Sequence, residues 1–423
     1  MDFETSTMLT ETAAGTPMGN WLRRYWWPVG LSEDLKNKPT FIKVMGEDLV
    51  LFRDTNGNPG LVSAYCPHRR ANLCLGNTVE DGIRCRYHGW LISKEGKVLD
   101  TPGEPDDSFK ENVTTPAYPV QELAGLLFAY FGPAEDMPEL PRYDFLAAEG
   151  VHIASFIGIT KGNWLQVTEN SMDPLHLSFT HAPTFTALNA VPEMWFEETP
   201  HGVAYVALRT TDEEDKWQVR VNNLVLPAWG CSGATGMWIE GARGSDSPPI
   251  TARVNVPIDD ESSLMFRVMY LPPQFAHAAE DIATQPEHLK WDTMWRTVEI
   301  EPFHEYLEHE RTGEPLTLGY TIPEGAGYED ASVVGSMPPR EDRHNENPLP
   351  TADAGLKFIR QVIIDSVREV DGGGLAKGQK PDESDDGVIP LTTGEKYTTP
   401  AGADALRQDP GAHQALRLPS WTD

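Results

Sequence analysis

Two short hooks, Cys66-Pro67-His68 and Cys85-Arg86-Tyr87-His88, constrain this chain more than any other feature, with sixteen residues (69–84) between them. They offer two thiolates and two imidazoles, and these can serve one centre only if the chain folds back to bring the hooks together. Tetrahedral zinc also accepts two cysteines and two histidines, but its hooks usually leave two to four residues between ligands. Here only Pro67 separates the first pair. The spacing fits a [2Fe–2S] cluster of mixed ligation, with Cys66 and Cys85 on one iron and His68 and His88 on the other.

Such ligation defines a Rieske centre. Replacing two anionic thiolates by neutral imidazoles lowers the negative charge of the cluster. Its potential rises to roughly −150 to +300 mV, from about −400 mV for the all-cysteine plant type. A protein built around it moves single electrons. Arg69, Arg70, Arg84 and Arg86 place positive charge and hydrogen-bond donors beside the hooks.

The chain of 423 residues is long enough for two domains with separate cores. No run of eighteen apolar residues occurs, so no membrane span is expected. The acidic, polar start MDFETSTMLTETAAG does not read as a secretory signal. Of four cysteines, Cys74 and Cys231 remain after the hooks and read as small buried or half-buried residues. A cytoplasmic location fits this usage. A net charge of −30 excludes nucleic acid as partner, since phosphates would be repelled. Residues 21–100 nevertheless hold twelve Lys and Arg against nine Asp and Glu, a local basic surplus that would either steer an acidic electron donor or simply solvate and bond the cluster loops.

Residues 41–100 read as antiparallel β-structure. FIKVM, LVLFR and GLVSAY alternate or run β-branched around the turn cluster Asp54–Asn58, and WLISKEGKVLD turns at Glu95-Gly96. Both hooks therefore fall at loop tips. GLLFAYFGP ends this unit before the proline-rich MPELPRYD. The expected domains are 20–138 for the cluster, 139–370 together with 1–19 for a catalytic unit, and 371–423 as a Gly/Asp/Pro-rich arm. In the second unit GVAYVALRT, WQVRVNNLVLP, ITARVNVPI and SLMFRVMYLPP read as strands, while Leu289–Glu308 and Ala354–Val370 read as helices. The fold class is α+β: an N-terminal antiparallel β-domain and a C-terminal domain with a large antiparallel sheet flanked by helices.

The second constellation is Asn170-Ser-Met-Asp173-Pro-Leu-His176-Leu-Ser-Phe-Thr-His181. Two imidazoles and one carboxylate on one face of an ion form the facial triad of non-haem Fe(II) oxygenases. His176 and His181 would be two of the three ligands. Five residues apart, they do not share a helix face, so the segment must unwind or end near Phe179-Thr180. Asp173 lies close enough in sequence to orient His176; it equally suits a helix N-cap followed by proline.

Together with GTPMGNWLRRYWWPVG, GEDLVLFRDTNG, YCPHRRANLCLG and CRYHGW, this segment resembles the α subunits of Rieske non-haem iron aromatic oxygenases, nearest the group of phthalate dioxygenase and aryl O-demethylases. The resemblance implies one cluster and one Fe(II) per chain, O2 as co-substrate, and electrons from NAD(P)H through a reductase or ferredoxin. It implies a homotrimer or a multiple of it, in which Asp173 links the iron site to His88 of the neighbouring subunit. It points to Asp330 in Glu329-Asp330-Ala-Ser-Val-Val-Gly335-Ser-Met as third ligand, with Glu329 as competitor. It implies an aromatic carboxylate as substrate, by O-demethylation or by ring dihydroxylation, with Asn170 and Arg209 as candidate contacts. Arg220, Arg253 and Arg267, also on expected strands, are further candidates for the carboxylate. A Rieske electron carrier with a structural pair of histidines, or a subunit with a dead second site, stays open at this point.

Overall fold

The computed structural model describes residues 2–36, 38–182, 188–233, 239, 241–242, 245, 247–284, 326–338, 340–346, 349–379, 387–391 and 393–409. The helix expected over Leu289–Glu308 lies outside the described residues.

The first part of the chain is short strands and tight turns. Strands β1 (Trp26–Leu31), β2 (Thr40–Val44), β3 (Glu47–Arg53), β4 (Pro59–Ser63), β5 (Asn77–Val79), β6 (Gly82–Arg84), β7 (Leu91–Ile92), β8 (Val98–Asp100), β9 (Ala117–Tyr118), β10 (Val120–Leu123) and β11 (Leu126–Tyr130) follow in order. They form three sheets, β2-β3-β4-β9, β5-β6-β7-β8 and β1-β11-β10. A small core of Val50, Phe52, Val62, Leu73, Ile83 and Ile92 sits directly beneath the hooks.

The second part is built on one antiparallel sheet. Strands β12 (Val151–Lys161), β13 (Glu193–Thr199), β14 (Gly202–Thr210), β15 (Trp217–Val225), β16 (Trp229–Ser232), β17 (Ile250–Pro257) and β18 (Ser262–Leu271) run in the order β12-β18-β17-β16-β15-β14-β13. Helices α1 (Phe3–Thr10) and α2 (Pro17–Leu22) precede the first part; α3 (Asp144–Ala147), α4 (Trp164–Ser171), α5 (Ala278–Thr284), α6 (Ala326–Gly335) and α7 (Ala354–Asp371) belong to the second. The N-terminal residues join the second part, since Asn163 donates to the Thr10 carbonyl and Thr12 bonds to Asp260.

Strand register assigns the two faces of the sheet. Cross-strand partners point to the same side, so Arg209, Gln218, Arg220, Arg253, Arg267 and Ser155 share one face. Helix α4 lies on it: Asn255 donates to Thr168, and a Cβ on Gly230 would sit 2.9 Å from the Ser171 Cβ. The opposite face is apolar and receives the three-stranded sheet of the first domain, with Phe128 and Phe145 against Trp229. Buried residues of both parts thereby form one continuous core. One wall thus separates the catalytic helices from the cluster-bearing domain.

The segment after Val370 corrects the reading of a free arm. Strand β19 (Gly394–Thr398) pairs with β15 over Trp217–Val221, a stretch of that edge which short β16 leaves open. Helix α8 (Pro400–Gln408) then buries Ala403 and Leu406 against Val206, Leu208, Val219 and Val221. Gly and Asp are concentrated in 371–387 and hide the short strand that follows. Leu406 is fully buried, so Leu406→Ala is expected to cost about 2–5 kcal/mol, read as a lowered denaturant midpoint of the cluster-loaded protein.

Candidate metal centres

The two hooks share one backbone wiring. Cys66 N–H donates to the Ala71 carbonyl and Arg70 N–H to the Cys66 carbonyl; Cys85 N–H donates to Trp90 and Gly89 N–H to Cys85. The fifth residue of each hook needs a left-handed backbone, at φ +76° for Gly89 and +62° for Arg70. For an arginine this conformation costs about 1–2 kcal/mol. Its guanidinium lies 4.7 Å from the Tyr65 ring centroid, a contact that offsets part of the cost.

This wiring turns both thiols inward and both imidazoles outward. Cys66 and Cys85 are buried and close enough to interact, and burial with that neighbour pushes the Cys66 thiol up to about 11. His68 and His88 are exposed, with ring centroids 4.6 Å apart. Trp90 stacks on His68 at 4.6 Å and 7°, and Arg84 fixes the second hook by donating to the Gly89 carbonyl and to Asp100. All four cysteines are free, with Cys74 half-buried and Cys231 buried. Two facing thiols and two adjacent imidazoles fit a cluster of mixed ligation.

The second site begins where α4 stops. The helix opens with a capping box of Asn163 and Gln166 and caps at Met172, earlier than Phe179-Thr180. Pro174 has no N–H to continue it, and Asp173 Oδ1 accepts from the Leu175 N–H at 2.8 Å. That oxygen is spent on the turn, and it is the Asp173 main chain that acts on the His176 ring. His176 starts a single 3-10 turn, and Thr180 N–H folds back onto its carbonyl at 2.7 Å. The two rings come to 5.2 Å between centroids.

Helix α6 brings both candidate carboxylates to the pair and places them differently. Asp330 Oδ1 lies 3.0 Å from His181 Nε2 and 3.5 Å from His176 Nε2. Donors about 2.1 Å from one ion on adjacent coordination positions stand about 3 Å apart, so this spacing suits a bound metal. Glu329 instead accepts from His181 Nδ1 at 2.6 Å, which turns Nε2 toward Asp330. Among the described residues, His176, His181 and Asp330 are the group of three whose ligand atoms lie within 4.8 Å of one another.

Electrostatics follows from burial and these contacts. Burial lowers the His176 pKa, so the ring is neutral and ready to ligate. Burial opposes the charge on His181 too, but Asp330 and Glu329 outweigh it and raise its pKa. Burial disfavours the Asp330 anion, yet His181 and His176 hold it below the usual range, with Asn170 adding a side-chain hydrogen bond. Asn170, expected as a substrate contact, instead helps to stabilise the Asp330 anion.

Arg209 is likewise displaced from its expected role. It is fully buried, and donates through Nη2 to the Pro174 carbonyl at 2.6 Å and through Nε to Ala190 at 3.1 Å. Sequence reasoning missed a buried ion network: Glu169 on α4 accepts from Arg360 on α7 and from Arg343, and both arginines also reach Glu346. Burial opposes the Glu169 charge, but the two guanidinium groups outweigh it and lower its pKa. The only sequence signal was a charge, Arg360, on the apolar face of α7.

Residues 25–119 match the Rieske [2Fe-2S] domain family. The oxygenase subunit of tert-butanol monooxygenase / tert-amyl alcohol desaturase from Aquincola tertiaricarbonis is 37% identical over 62% of this chain and 59% of its own. Phenoxybenzoate dioxygenase subunit alpha from Ectopseudomonas oleovorans is 33% identical over 92% and 91%. The 5,5'-dehydrodivanillate O-demethylase oxygenase subunit from Sphingobium is 35% identical over 98% and 91%. The solved structure of NdmB from Pseudomonas putida CBB5 shares the fold, with TM-score 0.57 at 17% identity over 85% of this chain and 95% of that one. The chain belongs to the Rieske non-haem iron aromatic oxygenases, as an α subunit. It is an oxygenase component, which removes the electron-carrier reading. No helix among the described residues is long and apolar enough to cross a membrane.

Because the metal-free site raises the His181 pKa, a proton competes with the metal, and Fe(II) affinity should rise as pH increases through that titration. Glu329→Gln lowers the competing pKa but loosens the ring. An anaerobic Fe(II) titration is expected to give about 10- to 100-fold weaker binding, with its pH dependence moved to lower pH.

Proposed function

We propose that this subunit oxygenates an aromatic carboxylate using electrons from an NAD(P)H-dependent reductase or ferredoxin, and that the favoured reaction is O-demethylation of a methoxylated aromatic acid. The observation that carries the acid is Arg220. It lies on the sheet face beneath the ligand segment, is buried, and keeps Nε and Nη1 without a hydrogen bond. No ion pair of Arg220 occurs among the described residues, although its register partner on β19 is the buried Glu395. Burying a guanidinium is costly unless an anion meets it, and a carboxylate accepts its planar fork in a bidentate pair. Neighbouring Arg253 feels both Asp330 and Arg220, which puts this floor next to the triad.

When bound, the cluster supplies single electrons and the ferrous ion supplies a site for O2. The residues around them do the positioning. Glu329 holds the proton on His181 Nδ1, Asn170 steadies Asp330, and Arg220 fixes the substrate carboxylate so that the ring's reacting end faces the triad. Asp173 is the link to a neighbouring subunit's cluster in a trimer. Its Oδ1 is anchored on Leu175, and Oδ2 has no hydrogen bond among the described residues. Within one chain the first domain packs on the far face of the sheet, which favours a route between subunits. The exposed edges of His68 and His88, beside Arg69, Arg70 and Arg86, suit an acidic electron donor.

The dehydrodivanillate relative supports demethylation and the phenoxybenzoate relative supports the alternative, ring dihydroxylation. The tert-butanol relative acts on a compound without a carboxylate, so the role of Arg220 decides the substrate class. The test is a panel of methoxylated and unmethoxylated aromatic acids with a reductase, NADH and O2. Formaldehyde with a phenol is expected; a diol without formaldehyde selects dihydroxylation, and turnover of neutral analogues alone sinks the acid. Arg220→Gln should raise KM for the acid about 10- to 100-fold, the value of one charge-assisted bond, with kcat changed less. Asp173→Ala should keep both metals and lose most turnover; unimpaired product formation in that variant refutes the link.

A further inference from the structure

The ligand segment has no helix to hold it. Helix α4 has ended at Met172, His176 opens a 3-10 turn that stops at Ser178, and His181 lies beyond that turn. Something else must fix their geometry, and the sheet provides one side chain that reaches both ends. From β14, Arg209 donates to the Pro174 carbonyl, two residues before His176, and to the Ala190 carbonyl, nine residues after His181. Ser178, inside the segment, donates to the same Ala190 carbonyl at 3.0 Å.

We propose that Arg209 is a positioning residue for the mononuclear iron site, a staple that ties Pro174 to Ala190 and sets where His176 and His181 point. Three features fit this role better than substrate binding. Two of its three guanidinium nitrogens are spent on main-chain oxygens, and the side chain is 1% exposed. The planar fork spans two carbonyls at fixed separation, which a lysine ammonium cannot do. Arg220, two pairs of residues along the same face, is the guanidinium left available to an anion.

The inference rests on the iron-site assignment but not on the substrate. The test uses the cluster-loaded full chain with the second site emptied by chelation. Arg209→Lys and Arg209→Gln are titrated anaerobically with Fe(II), and with Co(II), whose absorption reports ligand geometry. Both variants are expected to bind Fe(II) at least about tenfold more weakly, as loss of a ligand-orienting group does. The Co(II) spectrum should change even at saturation, while the cluster's visible spectrum stays that of the parent. KM for substrate in iron-saturated enzyme should stay within about threefold. Ser178→Ala, which keeps Arg209, should weaken Fe(II) binding in the same direction by a smaller factor.

Parent-like Fe(II) affinity and Co(II) spectrum, with only a lower melting temperature, would make Arg209 purely structural and overturn the proposal. A raised KM with unchanged metal binding would overturn it in favour of a substrate contact. Should neither Arg209 variant fold, Ser178→Ala decides: unchanged metal binding there overturns the staple. Absence of any second-site binding in the parent would instead remove the iron-site assignment itself.

Discussion

One geometric demand organises the catalytic half: three donor atoms must point at a single spot, and no regular element can supply two histidines at i and i+5 on one face. The chain meets it by ending α4 at Met172 and continuing as one short turn. That solution sacrifices helical hydrogen bonds where precision matters most. The precision returns through charged and polar contacts from outside: Glu329 on His181, Arg209 on two carbonyls, and the Glu169 network that ties α4 to α7 and to the segment following α6. Each buries an ionisable group, and each is tolerable only because it is paired or hydrogen-bonded.

The cluster domain solves a similar problem by duplication. Two hooks far apart in sequence take the same closed turn, and the repeat of wiring, thiol in and imidazole out, leaves the histidines at the surface. Gly89 adopts the left-handed conformation without strain, whereas Arg70 takes the same conformation at a cost and stacks over Tyr65. The inward thiols are wrapped by apolar residues, which lowers the local dielectric; the outward rings remain accessible to a partner. The sheet between the two domains gives each face a separate task.

What the sequence disclosed depended on how local each signal was. Hooks, turns at Gly57 and Gly96, and the long strands β14, β15, β17 and β18 were legible because ligand spacing and alternation act over a few residues. Strands β1, β12 and β13 were not read: Trp-Trp-Pro-Val obscures alternation in β1, and β13 carries three glutamates, pairing only at the sheet's edge. Strand β19 was hidden by the polar composition around it. The same locality governs the site. His176 and His181 were singled out by spacing, while Asp330 and Glu329 can be told apart only by distance. Asn170 and Arg209 were expected as substrate contacts; their neighbours here, Asp330 and two main-chain carbonyls, belong to tertiary structure and leave no trace in sequence.

The four arginines of the sheet floor illustrate why residue type alone does not assign a role. All four sit on strands and share one face, with Arg209, Arg220 and Arg267 buried and Arg253 partly so, so by sequence they are equivalent. Hydrogen bonding separates them. Arg209 is committed to the backbone, and burial lowers its pKa to about 10. Arg267 reaches Ser155 across the pairing of β18 with β12. Arg253 shares the field of Asp330. Arg220 alone combines burial with two nitrogens left without a hydrogen bond and no ion pair among the described residues. A buried cation is tolerable only where an anion meets it, and the register partner of Arg220 on β19 is the buried carboxylate Glu395. On the proposed function a substrate's carboxylate adds the bidentate partner that Arg220 still lacks, and a neutral analogue of the same shape forfeits that gain.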